Sequence, residues 1–167
     1  MNILGIDPGL HGAWAIVGPT MRITDIDDLP IIGAGKQTRL DGGAMADHWR
    51  CLDVSLAVIE AVHSMPRQGV SSSFKFGYAC GQILGVIEGL NIPVEFVTPQ
   101  MWKKHFRLSA DKEDARKRAI ETFPHDRASF ARKRDHGRAE AALIALWGAV
   151  KHEAGTSIRE PLREAAE

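Results

Sequence analysis

Five residues in this chain have the types and spacing to do chemistry together: Asp7, Glu60, Asp135, His136 and Glu140. Asp7 closes the apolar run "ILGID" and is followed at once by Pro8 and Gly9. Glu60 closes "SLAVIE", and an ionisable group ending so apolar a run is costly unless it is paired or binds a metal. Asp135, His136 and Glu140 lie in "RDHGRAEAALIALWG". Hard oxygen ligands from three separate segments, with no cysteine cluster, favour Mg²⁺ or Mn²⁺ over zinc. Two such ions about 4 Å apart are one solution to phosphodiester cleavage.

Each residue also has a plainer reading. Asp7-Pro8-Gly9 suits a tight turn joining two apolar strands into a hairpin. Glu60 suits a surface position just past a strand. Asp135 suits a helix N-cap, and Glu140 suits a first-turn acid favoured by the helix dipole. On a helix, His136 and Glu140 share a face better than Asp135 and Glu140 do.

The elements that must position these residues follow from periodicity. Residues 2–7, 12–18 and 21–28 read as strands, the third alternating as a half-exposed strand does. The stretch 29–43 reads as loop, and 43–52 as a helix with Met45, Trp49 and Leu52 on one face. Residues 54–60 read as a buried strand. A loop with Pro66 and Gly69 leads into an apolar helix capped by Ser72 or Ser73 and ended by Gly89 or Asn91. Gly77, Gly81 and Gly85 within that helix cost about 1 kcal/mol each unless a close approach uses them. Residues 93–99 read as a strand. Thr98 starts a short helix with Pro99 at its first position. Ser109 or Asp111 caps the next helix. A basic connection over 124–136 leads to a last helix with Ala141, Leu143, Ile144 and Trp147 on its apolar face. A mixed sheet covered by helices results, with sites expected at strand ends. If the strands ending at Asp7 and Glu60 are parallel neighbours, both carboxylates reach one edge.

A chain of 167 residues, 44% hydrophobic and 25% charged, fits one domain with a sizeable core. No apolar run is long enough to span a membrane. No signal-peptide pattern opens the chain, and Cys51 and Cys80 read as reduced core fillers of a cytoplasmic protein. Net charge is zero, but between Met101 and Arg138 five Lys and seven Arg face six acids. Such asymmetry suits a polyanion-facing side, although a solvated helix face gives the same pattern.

Four segments, in order, resemble the RuvC-like Holliday junction resolvases of the ribonuclease H and retroviral integrase superfamily. They are "ILGIDPGLHGAWAIV", "VIEAVHSMPRQGVSSSFKFGYACG", "VTPQMWKKHF" with "ADKEDARKRA", and "KRDHGRAEAALIALWG". The resemblance implies a ribonuclease H-like α/β fold, with a mixed five-stranded sheet flanked by helices. It implies a nuclease domain over 1–152 and a polar tail over 153–167. It implies metal ligation by Asp7, Glu60 and Glu140, with Asp135 as the fourth ligand and His136 as its rival. Two Mg²⁺ ions per site are implied, with Mn²⁺ as substitute. Lys112 matches a lysine near the scissile phosphate. Phe74 and Phe76 match an aromatic that stacks on bases, worth about 1–3 kcal/mol per base. Arg67, Gln68, Lys103 and Lys104 are further candidates for substrate contact. The implied partners are four-way branched DNA and a second copy of the chain, packed through the glycine-rich helix. The alternatives are a broader structure-selective nuclease for flaps or forks, and an inactive junction-binding protein. An actin-like ATPase or sugar kinase, suggested by "GIDPG", needs two lobes and a longer chain.

Overall fold

Strand β1 (Ile3–Asp7) is the centre from which the fold is built, because its two faces are both apolar. The computed structural model describes residues 1–61 and 69–153. Antiparallel to β1 runs β2 (Ala13–Val17), and antiparallel to β2 runs β3 (Ile23–Asp28). On the other side β6 (Leu56–Glu60) lies parallel to β1, and β7 (Val94–Val97) parallel to β6. The sheet order is β3-β2-β1-β6-β7, the mixed five-stranded sheet expected of a ribonuclease H-like fold.

Side chains alternate across this sheet. Ile3 and Val58 face one cluster, with Trp102, Ala115, Phe130 and helix α5 (His136–Glu153). Leu4, Ile6 and Ile59 face the other, with Met45 and Trp49 of α1 (Gly42–Arg50) and Ile83 and Ile87 of α2 (Val70–Gly89). Three layers result. By the same alternation Asp7 and Glu60 point to the α5 side.

α5 is not the one-faced helix that its sequence predicts. Every residue from Ala139 to Ala149 is buried, because the helix lies between the sheet and α4 (Lys112–Thr122). Small residues permit this. A Cβ on Gly5 would stand 2.3 Å from the Ala141 carbonyl oxygen and 2.3 Å from the Ala145 nitrogen. α5 therefore rests on the backbone of β1.

Several local expectations change. The stretch 29–43 holds a two-stranded ribbon, β4 (Ile31–Ile32) with β5 (Arg39–Leu40), where a loop was expected. α2 begins at Val70 with Gly69 as N-cap and no side-chain cap, so neither Ser72 nor Ser73 caps it. At its other end Asn91 takes positive φ, as a helix terminator does. Cys51 is exposed and Cys80 half-buried, so neither fills the core; both are free thiols. The basic connection holds two segments of 3₁₀ helix, Pro124–Phe130 and Lys133–Asp135. Short α3 (Pro99–His105) begins as expected, with the Thr98 side chain accepting from the Met101 N–H. Asp111, not Ser109, caps α4. Of the polar tail, only Glu153 falls among the described residues. No helix among them is long and apolar enough to cross a membrane.

Gly5→Ala is expected to cost about 3 kcal/mol in urea denaturation, since the added methyl meets helix backbone rather than a movable side chain.

Candidate active site

Ile6 pairs with Ile59 in the parallel β1–β6 ladder, so the two strands end side by side. Asp7 and Glu60 are the residues that follow. The antiparallel partner of Asp7 is Ala13, and the turn between them closes with the Gly12 N–H on the Gly9 carbonyl. Gly9 has φ +143°, which suits glycine alone. The hairpin and the acidic strand end are therefore both present: the turn bends the chain away and leaves the Asp7 carboxylate at the edge.

Glu140 completes the group from above. It lies in the second turn of α5 and is buried. The approach of α5 depends on Gly137, where a Cβ would stand 3.2 Å from Asp7 Oδ2. The three carboxylates share one field. Burial pushes the Asp7 carboxyl well above its ordinary value, and Glu140 and Glu60 push it further. Burial also raises Glu60, with Glu140 adding to it and a hydrogen bond from Trp102 opposing it. Lys103 and Lys112 lower both groups. Lys103 Nζ stands 3.4 Å from Glu140 Oε1.

Asp135, expected as the fourth ligand, is held by Arg132 in this structure. Both its oxygens are taken by Arg132: the backbone N–H donates to Oδ2 at 2.8 Å and Nε donates to Oδ1 at 3.0 Å. Burial pushes this carboxyl up, but the hydrogen bonds and charge of Arg132 prevail and hold it below its ordinary value. Asp135 thus anchors the 3₁₀ turn that feeds α5 by reaching back to the backbone of its N-cap, Arg132. His136 lies elsewhere on that turn. It lines a cleft of about 430 Å³ with Asp111, Lys112, Glu113, Lys133 and Arg134.

The substrate candidates separate by exposure. Phe74 is 74% exposed, whereas Phe76 is half-buried beside the Gly9 turn. Lys104 and Lys112 are exposed; Lys103 is turned inward to Glu140. Arg67 and Gln68 lie outside the described residues. Part of the basic segment is spent internally. Arg116 pairs with Glu113, Arg132 with Asp135, and Arg138 forks onto Asp27 and Asp28 at 2.6 and 2.7 Å. Lys104, Arg107, Lys112, Lys117, Arg127, Lys133 and Arg134 stay exposed without an ion pair among the described residues, so seven of the twelve basic side chains remain open. Trp102 was absent from the expected site, yet its indole touches Glu60. A tryptophan inside a basic helix was the available signal, since a buried indole N–H needs an acceptor.

The donor set suits a hard divalent cation: carboxylate oxygens that repel one another, with no soft ligand. Among the described residues no three His, Cys, Asp or Glu side chains close into a metal-coordinating group, so the carboxylates form an open acidic edge.

The sheet order and its flanking helices give the chain a ribonuclease H-like fold. Among solved structures, the chain is similar to Thermus thermophilus RuvC in complex with Holliday junction substrate. Identity is 18%, the TM-score is 0.66, and the match covers 93% of this chain and 98% of that one. It is also similar to the fowlpox virus Holliday junction resolvase, at 14% identity and a TM-score of 0.58, covering 92% and 99%. At such identity the likeness is one of fold. No family model matches the sequence. No curated protein matches it either.

The raised Asp7 carboxyl ties stability to pH. A carboxyl whose folded value lies above its unfolded value gives stability that is full below the unfolded value, near 4. That stability is lost as pH rises through the folded value. In EDTA, Asp7→Asn is therefore expected to melt higher than the parent at pH 8, with the gap shrinking towards pH 4. Asp135→Ala is expected to cost about 1–2 kcal/mol of stability in denaturant titrations. The same variant keeps Mn²⁺ affinity within about twofold, by calorimetry; a ligand role would lose about tenfold or more.

Proposed function

We propose that this chain is a metal-dependent endonuclease that resolves four-way DNA junctions by paired, symmetric nicks, in recombination, repair or phage DNA processing. The observation that carries the reading is the convergence of Asp7, Glu60 and Glu140 from two parallel strand ends and one helix, inside the field of Lys103 and Lys112. The similarity to resolvases over nearly the whole chain supports the same reading.

In this reading Asp7, Glu60 and Glu140 hold two Mg²⁺ ions, with Mn²⁺ as substitute. Bound, the ions supply an activated water and Lewis-acid stabilisation of the leaving oxygen. The protein's own groups do the rest. Lys112, at the mouth of α4, neutralises charge that develops on the scissile phosphate. His136, across the same cleft, assists the attacking water. Lys104, Lys133 and Arg134 hold the phosphate backbone, an interaction that weakens with salt. Exposed Phe74 stacks on bases at the junction centre, while Phe76 supports the Asp7 turn. Arg67 and Gln68 add contacts to the DNA backbone.

The proposal includes a homodimer, because a two-fold substrate takes two sites. α2 supports it. Added Cβ atoms at Gly77, Gly81, Gly85 and Gly89 meet nothing within 4 Å, and Val70 and Tyr78 are exposed on the same helix.

The test is nicking of a labelled four-way junction, a flap and linear duplex, in Mg²⁺ and in EDTA. Symmetric, metal-dependent nicking of the junction alone is expected, with activity down at least 1000-fold in Asp7→Asn, and sedimentation at twice the 18.3 kDa chain mass. Junction binding without nicking would mean a binding protein. Cutting of flaps as fast as junctions would mean a broader structure-selective nuclease.

A further inference from the structure

α3 is only seven residues long and ends in the basic run Lys103-Lys104-His105, yet it buries Trp102 completely. The indole Nε1–H of Trp102 donates to Glu60 Oε1 at 2.8 Å. A buried indole does not obtain such a partner by default in this protein: Trp49 is equally buried, and its Nε1 has no partner among the described residues. The Trp102 bond is also directed at a charged acceptor, which makes it stronger than a neutral one.

Glu60 needs such a partner. It is the last residue of β6, so only one side of its backbone is held in the sheet, and its side chain has three rotatable bonds. Asp7 and Glu140 repel it. Trp102 supplies the restraint. Its ring is locked in the core between α5 and the sheet, its backbone is set by the Thr98 cap and Pro99, and its N–H points at one carboxylate oxygen. The next residue of the same helix, Lys103, reaches Glu140 and stacks over the Trp102 ring at 5.2 Å.

We propose that Trp102 is a positioning residue: its indole N–H fixes the Glu60 carboxylate by one oxygen and so presets the metal-binding edge. The inference rests on the metal-dependent reading above. Partners of this kind, set behind a ligand, are worth about 10–100-fold in metal affinity or activity. The N–H acts by holding the ligand before the cation arrives, so its loss weakens binding rather than the chemical step.

The test is Mn²⁺ binding by calorimetry without DNA. The parent is compared with Trp102→Phe and with a variant carrying benzothienylalanine at 102, which keeps the shape of the indole and lacks the N–H. Both variants are expected to bind Mn²⁺ about tenfold more weakly. The Mg²⁺ needed for half-maximal nicking should rise in parallel, with the rate at saturating Mg²⁺ little changed. The indole proton resonance of Trp102 should move when Glu60→Gln is introduced. If the benzothienyl variant binds Mn²⁺ as the parent does, Trp102 only fills space and the inference falls, whatever Trp102→Phe does. If the parent itself binds no Mn²⁺, the metal reading fails first and this inference falls with it.

Discussion

Three carboxylates are held where they repel one another, and much of this structure exists to keep them there. Ionised acids at the edge of a low-dielectric core oppose folding. The cost is distributed: Lys103 and Lys112 offset charge, Trp102 donates to Glu60, and the buried mass of α5 clamps Glu140 in place.

The closeness of α5 to β1 is what brings Glu140 down to the strand ends. Gly5 and Gly148 remove side chains from opposite sides of one contact: a Cβ on Gly148 would stand 2.8 Å from Val58 Cγ2. Gly137 repeats the device beside the carboxylate of Asp7. One run of small residues therefore sets both the packing distance and the geometry of the acidic edge. Arg138 ties the same helix end to the far strand through Asp27 and Asp28. Cationic residues in the basic segment thus serve two ends, internal fastening and an open surface.

The strands and most helices were legible because their apolar periods are regular. Asp7 and Glu60 were legible as acids closing apolar runs. Their adjacency was not, since pairing of β1 with β6 leaves no mark on either segment alone. An acid before a helix reads equally as ligand or cap, and the hold of Arg132 on Asp135 leaves no mark in the sequence pattern. The apolar stripe of α5 was too narrow a reading: alanines and glycine on its other faces gave no hydrophobic signal, yet they are buried by α4 and the sheet. Trp102 stayed hidden because its partner, Glu60, lies on a strand distant in sequence.

The parallel β1–β6 pair has one more consequence, for the order in which the chain matures. Its first contact joins Asn2 to Ser55, 53 positions apart, with the Asn2 N–H donating to Ser55 Oγ at 3.2 Å. Such distant pairing carries a loop-closure cost and slows folding relative to local hairpins. The β1–β2–β3 meander needs no such closure and can form early, carrying Asp7 alone. Glu60 arrives only with the slow step, and Glu140 only when α5 docks on the finished sheet. A nascent or partly folded chain therefore holds single acids rather than an acidic edge, and the edge is complete only when the fold is.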